Sequence, residues 1–396
     1  MKLLLYSNFF YPQTGGTQAI VLALARGFSV RHAVTVGVES IEVTVATQER
    51  EAWAYDEEQP FRIVRAPGLG DLRTLIGEAD LVHIAGPALA PLLLCVLTGK
   101  KFVVEHHAFQ TACPNGQYFY EQTSSLCVGH FMRGNYRQCV ECDGRVVSRP
   151  RAMAEIGLSG LRRRLCNRAA ANILPTQWLG SVIELNRMKT IHHGVADVPL
   201  SALHRRPEAT SGAKTIFAFQ GRLVPTKGIR VLLDAVKILQ GEGRAFSVKF
   251  IGGGPALEYL KADEARENLN VQILGHVPDD GLPAALADVS AIVMPSIAGE
   301  VFGLVAAESM IRGRLVIVSD LGSLKEVVGD GALTFRNGDA ADLADKMKFV
   351  MDNPGAVVSV SERARKRALE AFNLGTMVER HIELYRSVLG AGASNL

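Results

Sequence analysis

No apolar run in this chain is long enough to span a bilayer: the uncharged stretch Ile84–Gly99 is short and is broken by Gly86, Pro87 and Pro91. The opening Met-Lys-Leu-Leu-Leu-Tyr-Ser carries too brief an apolar segment, and no cleavage pattern, for a secretory leader. Net charge is also scarce, at +3 over 396 residues, which argues against a nucleic-acid partner held by bulk charge. Low-complexity tracts are absent, and nothing repeats beyond a recurring strand–helix unit. The Gly-x4-Gly-Lys-Ser/Thr loop of Walker-type phosphate binding is missing as well. What these absences leave is a globular chain of two or three domains, with the cytoplasm as its expected address.

Charge is uneven even though its sum is small. Between Phe131 and Ala170 nine Arg face three acidic residues, Glu141, Asp143 and Glu155. Such a patch either attracts anionic membrane surfaces and phosphate-bearing substrates or is simply a solvated basic face. Four of the six cysteines also fall near this stretch: Cys113, Cys127, Cys139 and Cys142. Cys139 and Cys142 have the bite of a metal thiolate pair, and Cys113 with Cys127 completes a tetrahedral set. Structural zinc is the leading reading, ahead of plain thiols and of disulfide or iron–sulfur chemistry. Cys95 and Cys166 lie on apolar or helical segments and read as core.

Periodicity places the elements. A strand at Lys2–Ser7 leads through Asn8–Thr17 to a helix over Gln18–Val30, with Gly15-Gly16 before it and Thr17 as its N-cap. Further strands are expected at Ala33–Val38, Ile41–Ala46, Phe61–Arg65, Leu81–Ala85 and Phe102–Glu105, with a buried helix at Leu89–Leu97. A helix expected over Gly157–Ala171 carries Arg162, Arg163, Arg164 and Arg168. Strand alternating with helix implies parallel crossovers and an α/β doubly wound domain, whose ligands sit beyond the carboxyl ends of strands. His106 and His107 follow such an end. Residues 200–214 read as a linker, so the first domain takes 1–199, with a Cys-rich insert at about 108–150. A second α/β domain follows over 215–375, and a final helix in 376–396 is placed to pack back on the first.

In that second domain four strand ends carry ligand-type chemistry. Arg222 and Lys227 bracket a Pro turn after Ile216–Gln220, a pair suited to clamping a diphosphate. The Gly252-Gly253-Gly254 loop lets backbone approach a ligand. Gly275-His276-Val277 ends a third strand. After Ala291–Met294, Glu300 and Glu308 stand eight positions apart, around a helix start at Phe302, Gly303 and Leu304 whose amides suit an anion. Two carboxylates beside an anion site are suited to the hydroxyls of what that anion carries.

With Arg222-x4-Lys227-Gly228, Gly252–Gly254 and Glu300-x7-Glu308 in place, the sequence resembles retaining glycosyltransferases of the GT-B fold, family 4. Pro12-x2-Gly15-Gly16 and the Val-Val-Glu-His-His-Ala-Phe run before Cys113 fit the same pattern. The resemblance implies two Rossmann-like domains facing across a cleft, the first for the acceptor and the second for a nucleotide sugar. It implies that Arg222 and Lys227 bind the donor diphosphate and that Glu308 grips the ribose. Glu300, with the amides of Phe302, Gly303 and Leu304, would hold the sugar and its phosphate. Gly253, His276 and Val277 would line the nucleotide, while His107, Gly15 and Gly16 face sugar and acceptor. No metal cofactor is implied for catalysis, and the acceptor is expected to be lipid-linked, polysaccharide or another glycan. Two departures stand out: His193-Gly194 replaces the family's usual Asn-Gly, and Gly313-Arg314-Leu315 replaces Gly-x-Pro. The competing readings are a GT-B nucleotide-sugar epimerase and a non-catalytic zinc-containing adaptor.

Overall fold

Short runs of β-branched and aromatic residues, each followed by a longer amphipathic stretch, build parallel sheets wrapped by helices. The computed structural model describes residues 1–30, 41–143, 147–198 and 214–390. They form two units. The first holds Met1–Gly116, Gly129–Gly194 and the chain from Leu374; the second holds Gln117–Val128 and Val195–Asn373. The strand expected at Ala33–Val38 and nearly all of the 200–214 linker lie outside the described residues.

The early strands are β1 (Lys2–Ser7), β2 (Glu42–Thr47), β3 (Arg62–Arg65), β4 (Leu81–Ala85) and β5 (Phe102–Glu105). After them come β6 (Phe119–Tyr120), β7 (Ser125–Leu126), β8 (Ala171–Leu174) and β9 (Met188–Thr190). Strands β6 and β7 pair only with each other; the other seven form one sheet in the order β3-β2-β1-β4-β5-β8-β9. All of its pairings are parallel. Both faces are covered, which is why β1 and β4 are buried at successive rather than alternate residues. The C-terminal helix Leu374–Leu389 belongs to this unit. It approaches the helix Gly16–Val30 closely: a Cβ on Gly27 would meet Val378 Cγ2 at 2.4 Å, so only glycine fits there.

The second unit's strands are β10 (Thr215–Gln220), β11 (Phe246–Ile251), β12 (Val271–Gly275), β13 (Ala291–Met294), β14 (Leu315–Ser319) and β15 (Leu333–Phe335). Their order, β12-β11-β10-β13-β14-β15, is that of a doubly wound dinucleotide-binding sheet. Its core packs Phe217, Phe219, Phe246 and Phe250 against Leu232, Leu233, Val236 and Leu239 of the helix Ile229–Gly241. Each such buried side chain contributes roughly 2 kcal/mol.

Three expectations need correcting. The Cys-rich insert is not one block: its Gln117–Val128 hairpin clusters with the second unit while Tyr136–Asp143 is a helix of the first. Gly116 (φ +72°) and Gly129 (φ +84°) flank that hairpin in the left-handed region and let the chain turn at both ends. Thr17 is not an N-cap, because the helix already runs from Gly16 and Ala19 N–H donates to the Gly15 carbonyl at 3.0 Å. The passage between units lies at Gly194/Val195 and Asn373/Leu374 rather than at 199 and 376. Val195 N–H donates to the Phe372 carbonyl at 2.8 Å, fixing the two segments side by side within the second unit.

Candidate active site

In the second unit's sheet, β10 and β13 are the neighbours at which strand order reverses. A doubly wound sheet opens a crevice beyond the carboxyl ends of such a pair. Glycines let the loops there press together. A Cβ on Gly228 (φ +70°) would stand 1.8 Å from the Pro295 carbonyl oxygen, and one on Gly252 (φ +135°) 1.9 Å from that of Gly221. Thr226 locks the first loop to the fourth, its carbonyl accepting from Ile297 N–H at 2.9 Å and Ala298 N–H at 3.2 Å. Gly253 faces the other way, since a Cβ there meets nothing within 4 Å. This stretch of backbone is open to a ligand.

That closeness brings Lys227 and Glu300 together: Lys227 Nζ pairs with Glu300 Oε1. Ser296 Oγ donates to the same Oε1 at 3.0 Å, and Ser323 Oγ donates to the Glu300 backbone carbonyl at 2.9 Å. Glu300 is buried, so its carboxylate is held by hydrogen bonds on side chain and main chain alike. Arg222 is exposed and its guanidinium makes no side-chain bond among the described residues. The helix Leu304–Ile311 begins after Gly303 (φ +103°), so the amides of Gly303 and Leu304 stand at its positive end. Phe302 is split in role: its side chain is core, edge-on to Phe372 at 5.3 Å, and only its backbone fits the expected contact. His276 is exposed and Val277 half-buried just beyond β12.

Glu308 lies in the second turn of that helix, and its carboxylate makes no hydrogen bond among the described residues. Burial pushes its pKa up, Arg312 pulls it down and Asp279 adds to the rise. A raised carboxylate pKa means that the folded chain holds the proton more tightly than the unfolded one. Stability from this group is therefore present below the ordinary value of 4.5 and is lost as pH climbs through the raised one. Glu308→Gln is expected to raise the Tm of the ligand-free protein by a few degrees at pH 7, with the gain fading below the ordinary carboxylate range. The same change removes an acceptor for a ligand diol and should weaken nucleotide binding by about 10- to 100-fold. Thermal melts and calorimetry at two pH values check both; an unchanged Tm with undiminished affinity would refute the role.

The first unit contributes a separate group of residues at the carboxyl edge of its sheet. Gly15 and Gly16 lie between β1 and its helix, and His106 and His107 follow β5. His106 is structural. Asn172 Nδ2 donates to the carbonyls of Cys166 and Asn186, so its Oδ1 accepts from His106 Nε2–H at 2.9 Å. Burial pushes the His106 pKa down to about 4. His107 instead stacks on His193, with ring centroids 5.3 Å apart, and sets Nε2 3.5 Å from Glu105 Oε2. His193, the departure from the family's Asn, also faces Glu105, with Nε2 3.4 Å from Oε1. Burial would raise the Glu105 pKa, but the imidazoles of His107, His193 and His83 crowded against it hold it well below the carboxylate range.

Glu105, His83, His193, His381 and Tyr385 were not singled out as functional from the sequence. The available signals were an acid closing an otherwise apolar strand and the i, i+4 spacing of His381 and Tyr385. Of the cysteines, Cys113, Cys139 and Cys142 lie in the first unit and are buried, whereas Cys127 lies in the second. Asn115 links two of them: Cys113 Sγ donates to its Oδ1 at 3.0 Å and its Nδ2 reaches Cys142 Sγ at 3.7 Å.

Solved structures share this architecture. Anabaena Alr3699/HepE in complex with UDP and glucose superposes with a TM-score of 0.71 at 18% identity, covering 98% of this chain and 100% of that one. Sucrose-phosphate synthase from Thermosynechococcus elongatus gives 0.72 at 17% identity, over 99% and 100%. The fold is GT-B. Residues 202–367 match the family model "Glycosyl transferases group 1". The chain is 30% identical over 179 residues to 2-deoxystreptamine glucosyltransferase of Streptomyces kanamyceticus, covering 44% of this chain and 46% of that protein. It is 26% identical over 246 residues to phosphatidyl-myo-inositol mannosyltransferase of Mycobacterium tuberculosis, covering 60% and 63%. The chain thus matches between about half and just under two thirds of the length of these curated relatives. The family-model match, residues 202–367, falls within the second unit.

Proposed function

We propose that the chain is a retaining glycosyltransferase that moves a sugar from a nucleotide sugar to a glycan or lipid-linked acceptor. The observation that carries the reading is the convergence of Lys227, Glu300 and the start of the helix Leu304–Ile311 at the switch point of the second sheet, with Arg222 exposed just beyond the end of β10. The arrangement offers cations and amides for a diphosphate, and carboxylates for hydroxyls on either side of it. The relatives' names, a glucosyltransferase and a mannosyltransferase, support the reaction class.

In the proposed reaction the bond from the anomeric carbon to the β-phosphate oxygen breaks, and the acceptor oxygen bonds to the same face of the sugar. The acceptor proton passes to the departing diphosphate. Positive charge grows on the sugar and negative charge on the leaving group, so Arg222, Lys227 and the helix-start amides stabilise the transition state more than the ground state. In this proposal Glu300 orients the sugar, Glu308 holds the ribose, and His107 with Gly15 and Gly16 serves the sugar and acceptor.

Two attributes complete the reading. Catalysis needs no metal, and the acceptor meets the enzyme at an anionic membrane through the Arg149–Cys166 helix, where Arg149 and Arg151 are exposed next to Met153 at 64% exposure. Among the described residues no helix is long and apolar enough to cross a membrane. We also assign Cys113, Cys139 and Cys142 of the first unit to a structural zinc. Cys139 and Cys142 one helical turn apart, with Cys142 sharing Asn115 with Cys113, fit a thiolate set. Cys139→Ser is expected to remove about one zinc per chain; a folded wild-type protein without sulfur-ligated metal would refute the assignment.

The activity test is a thermal-shift screen with a panel of nucleotide sugars, followed by transfer to lipid extracts and anomer analysis by NMR. A donor that stabilises the protein and yields product of unchanged anomeric configuration supports the reading. Stabilisation without transfer or donor hydrolysis in any extract, or an inverted product, would overturn it.

A further inference from the structure

Outside the proposed donor site, the first unit buries an unusual polar cluster. His83 from β4, Glu105 from β5 and His381 from the C-terminal helix are all fully buried. Their metal-capable atoms lie within 4.8 Å of one another. His83 Nε2 is 3.2 Å from Glu105 Oε2, and His381 Nε2 is 3.9 Å from Glu105 Oε1. Yet His83 Nε2, His381 Nε2 and both Glu105 oxygens make no hydrogen bond among the described residues. The atoms are close without pointing along one another's lone pairs. Leaving four such atoms unsatisfied in a dry core is strongly unfavourable.

The outer contacts of the two rings sharpen the point. His381 Nδ1 sits 2.8 Å from the Met377 carbonyl, which can only accept, so Nδ1 carries the proton. In a neutral imidazole Nε2 then presents a lone pair to a carboxylate, a repulsive pairing unless a proton or a metal cation stands between them. His83 Nδ1 is held by Tyr385 Oη at 2.5 Å, which fixes the ring with Nε2 turned inward. Histidines bound to metal show this same arrangement, one nitrogen on the ion and the other on a fixed oxygen. Zinc bonds of about 2.0–2.2 Å to nitrogen and oxygen imply ligand-to-ligand edges of about 3.3–3.6 Å in a tetrahedron, which the spacings here bracket.

We infer that His83, Glu105 and His381 form a binding site for a divalent transition-metal ion of the zinc class, distinct from the cysteine set. The ion fastens the C-terminal helix to the central strands of the first sheet. The same carboxylate faces His107, whose Nε2 is 3.5 Å from Oε2, so Glu105 links the ion to the histidine assigned to sugar binding. The inference stands independently of the transferase reading.

X-ray absorption at the zinc edge, on wild-type protein loaded with zinc and desalted, tests it without any variant. The expected result is a nitrogen/oxygen shell at about 2.0 Å with imidazole scattering, beside any sulfur shell from the cysteines. His381→Gln should lower zinc content by about one per chain, remove the imidazole signal and keep sulfur-bound zinc. Chelation should lower the wild-type Tm, and zinc should restore it. Should the variant fail to fold, cobalt-loaded wild type gives the same reading, through ligand-field bands that persist when the thiols are alkylated. A sulfur-only shell, or folded protein with no zinc at all, would overturn the inference while leaving nucleotide binding untouched.

Discussion

Lys227→Ala is expected to lower kcat/KM for sugar transfer by about 10²- to 10³-fold. The ammonium sits where β10 and β13 part, paired with Glu300. A preorganised cation aimed at charge that develops in the transition state is worth about that factor in a water-poor site. The loss should fall mainly on kcat, because the diphosphate carries more charge as it departs than while bound. Nucleoside-diphosphate affinity should weaken by roughly 10-fold, as Arg222 and the helix-start amides remain. Steady-state kinetics with the cognate donor checks the split. A variant with KM raised and kcat unchanged would place Lys227 in ground-state binding only.

Glu300→Gln is expected to lower turnover by at least about 10²-fold while leaving nucleotide affinity within about 3-fold. Its Oε1 accepts from both Lys227 and Ser296, and Ser323 holds its backbone carbonyl. The neutral amide is nearly the same size, so the loop should keep its shape. What is lost is a charged acceptor that orients the sugar and fixes the Lys227 ammonium. Glu308, by contrast, is expected to affect affinity first. Equal losses of turnover and affinity in Glu300→Gln would contradict the division of labour between the two carboxylates.

Much of this second unit was legible because its chemistry is local. Ala291–Met294 and Leu315–Ser319 are apolar runs bounded by Pro, Gly and polar residues, and both are strands over those residues. Gly322–Val328 follows as a helix with Leu324, Val327 and Val328 buried. Arg222, Lys227, Glu300 and Glu308 all follow strand ends, so alternation alone brought them to one edge of one sheet. The helix Pro354–Ala371 was not anticipated. Its buried stripe is Val357, Val360, Ala364 and Ala368, partly small residues, within a segment crowded with Arg, Lys and Glu. The helix Leu69–Glu78 was missed for a similar reason, having only Leu72, Leu75 and Ile76 inward.

The first unit's polar cluster was illegible for a different reason. His83 and Tyr385 touch across 302 positions, and neither residue alone departs from an ordinary strand or helix pattern. Periodicity shows which face of an element is buried but not which distant side chain it meets. Glu105 was read as part of a strand, and only the fold shows four imidazoles turned toward it. The same limit applies to the insert, where a hairpin between two glycines joins the second unit although its neighbours in sequence join the first.

The account depends most on a nucleoside diphosphate lodging at the switch point of the β10–β15 sheet. Calorimetric titration of wild type and the Arg222→Ala/Lys227→Ala double variant with UDP, GDP and ADP tests this directly. The prediction is binding of at least one of them to wild type, weakened about 100-fold or more in a double variant that melts as wild type does. Equal affinity in the two proteins would place the nucleotide elsewhere and contradict the central claim.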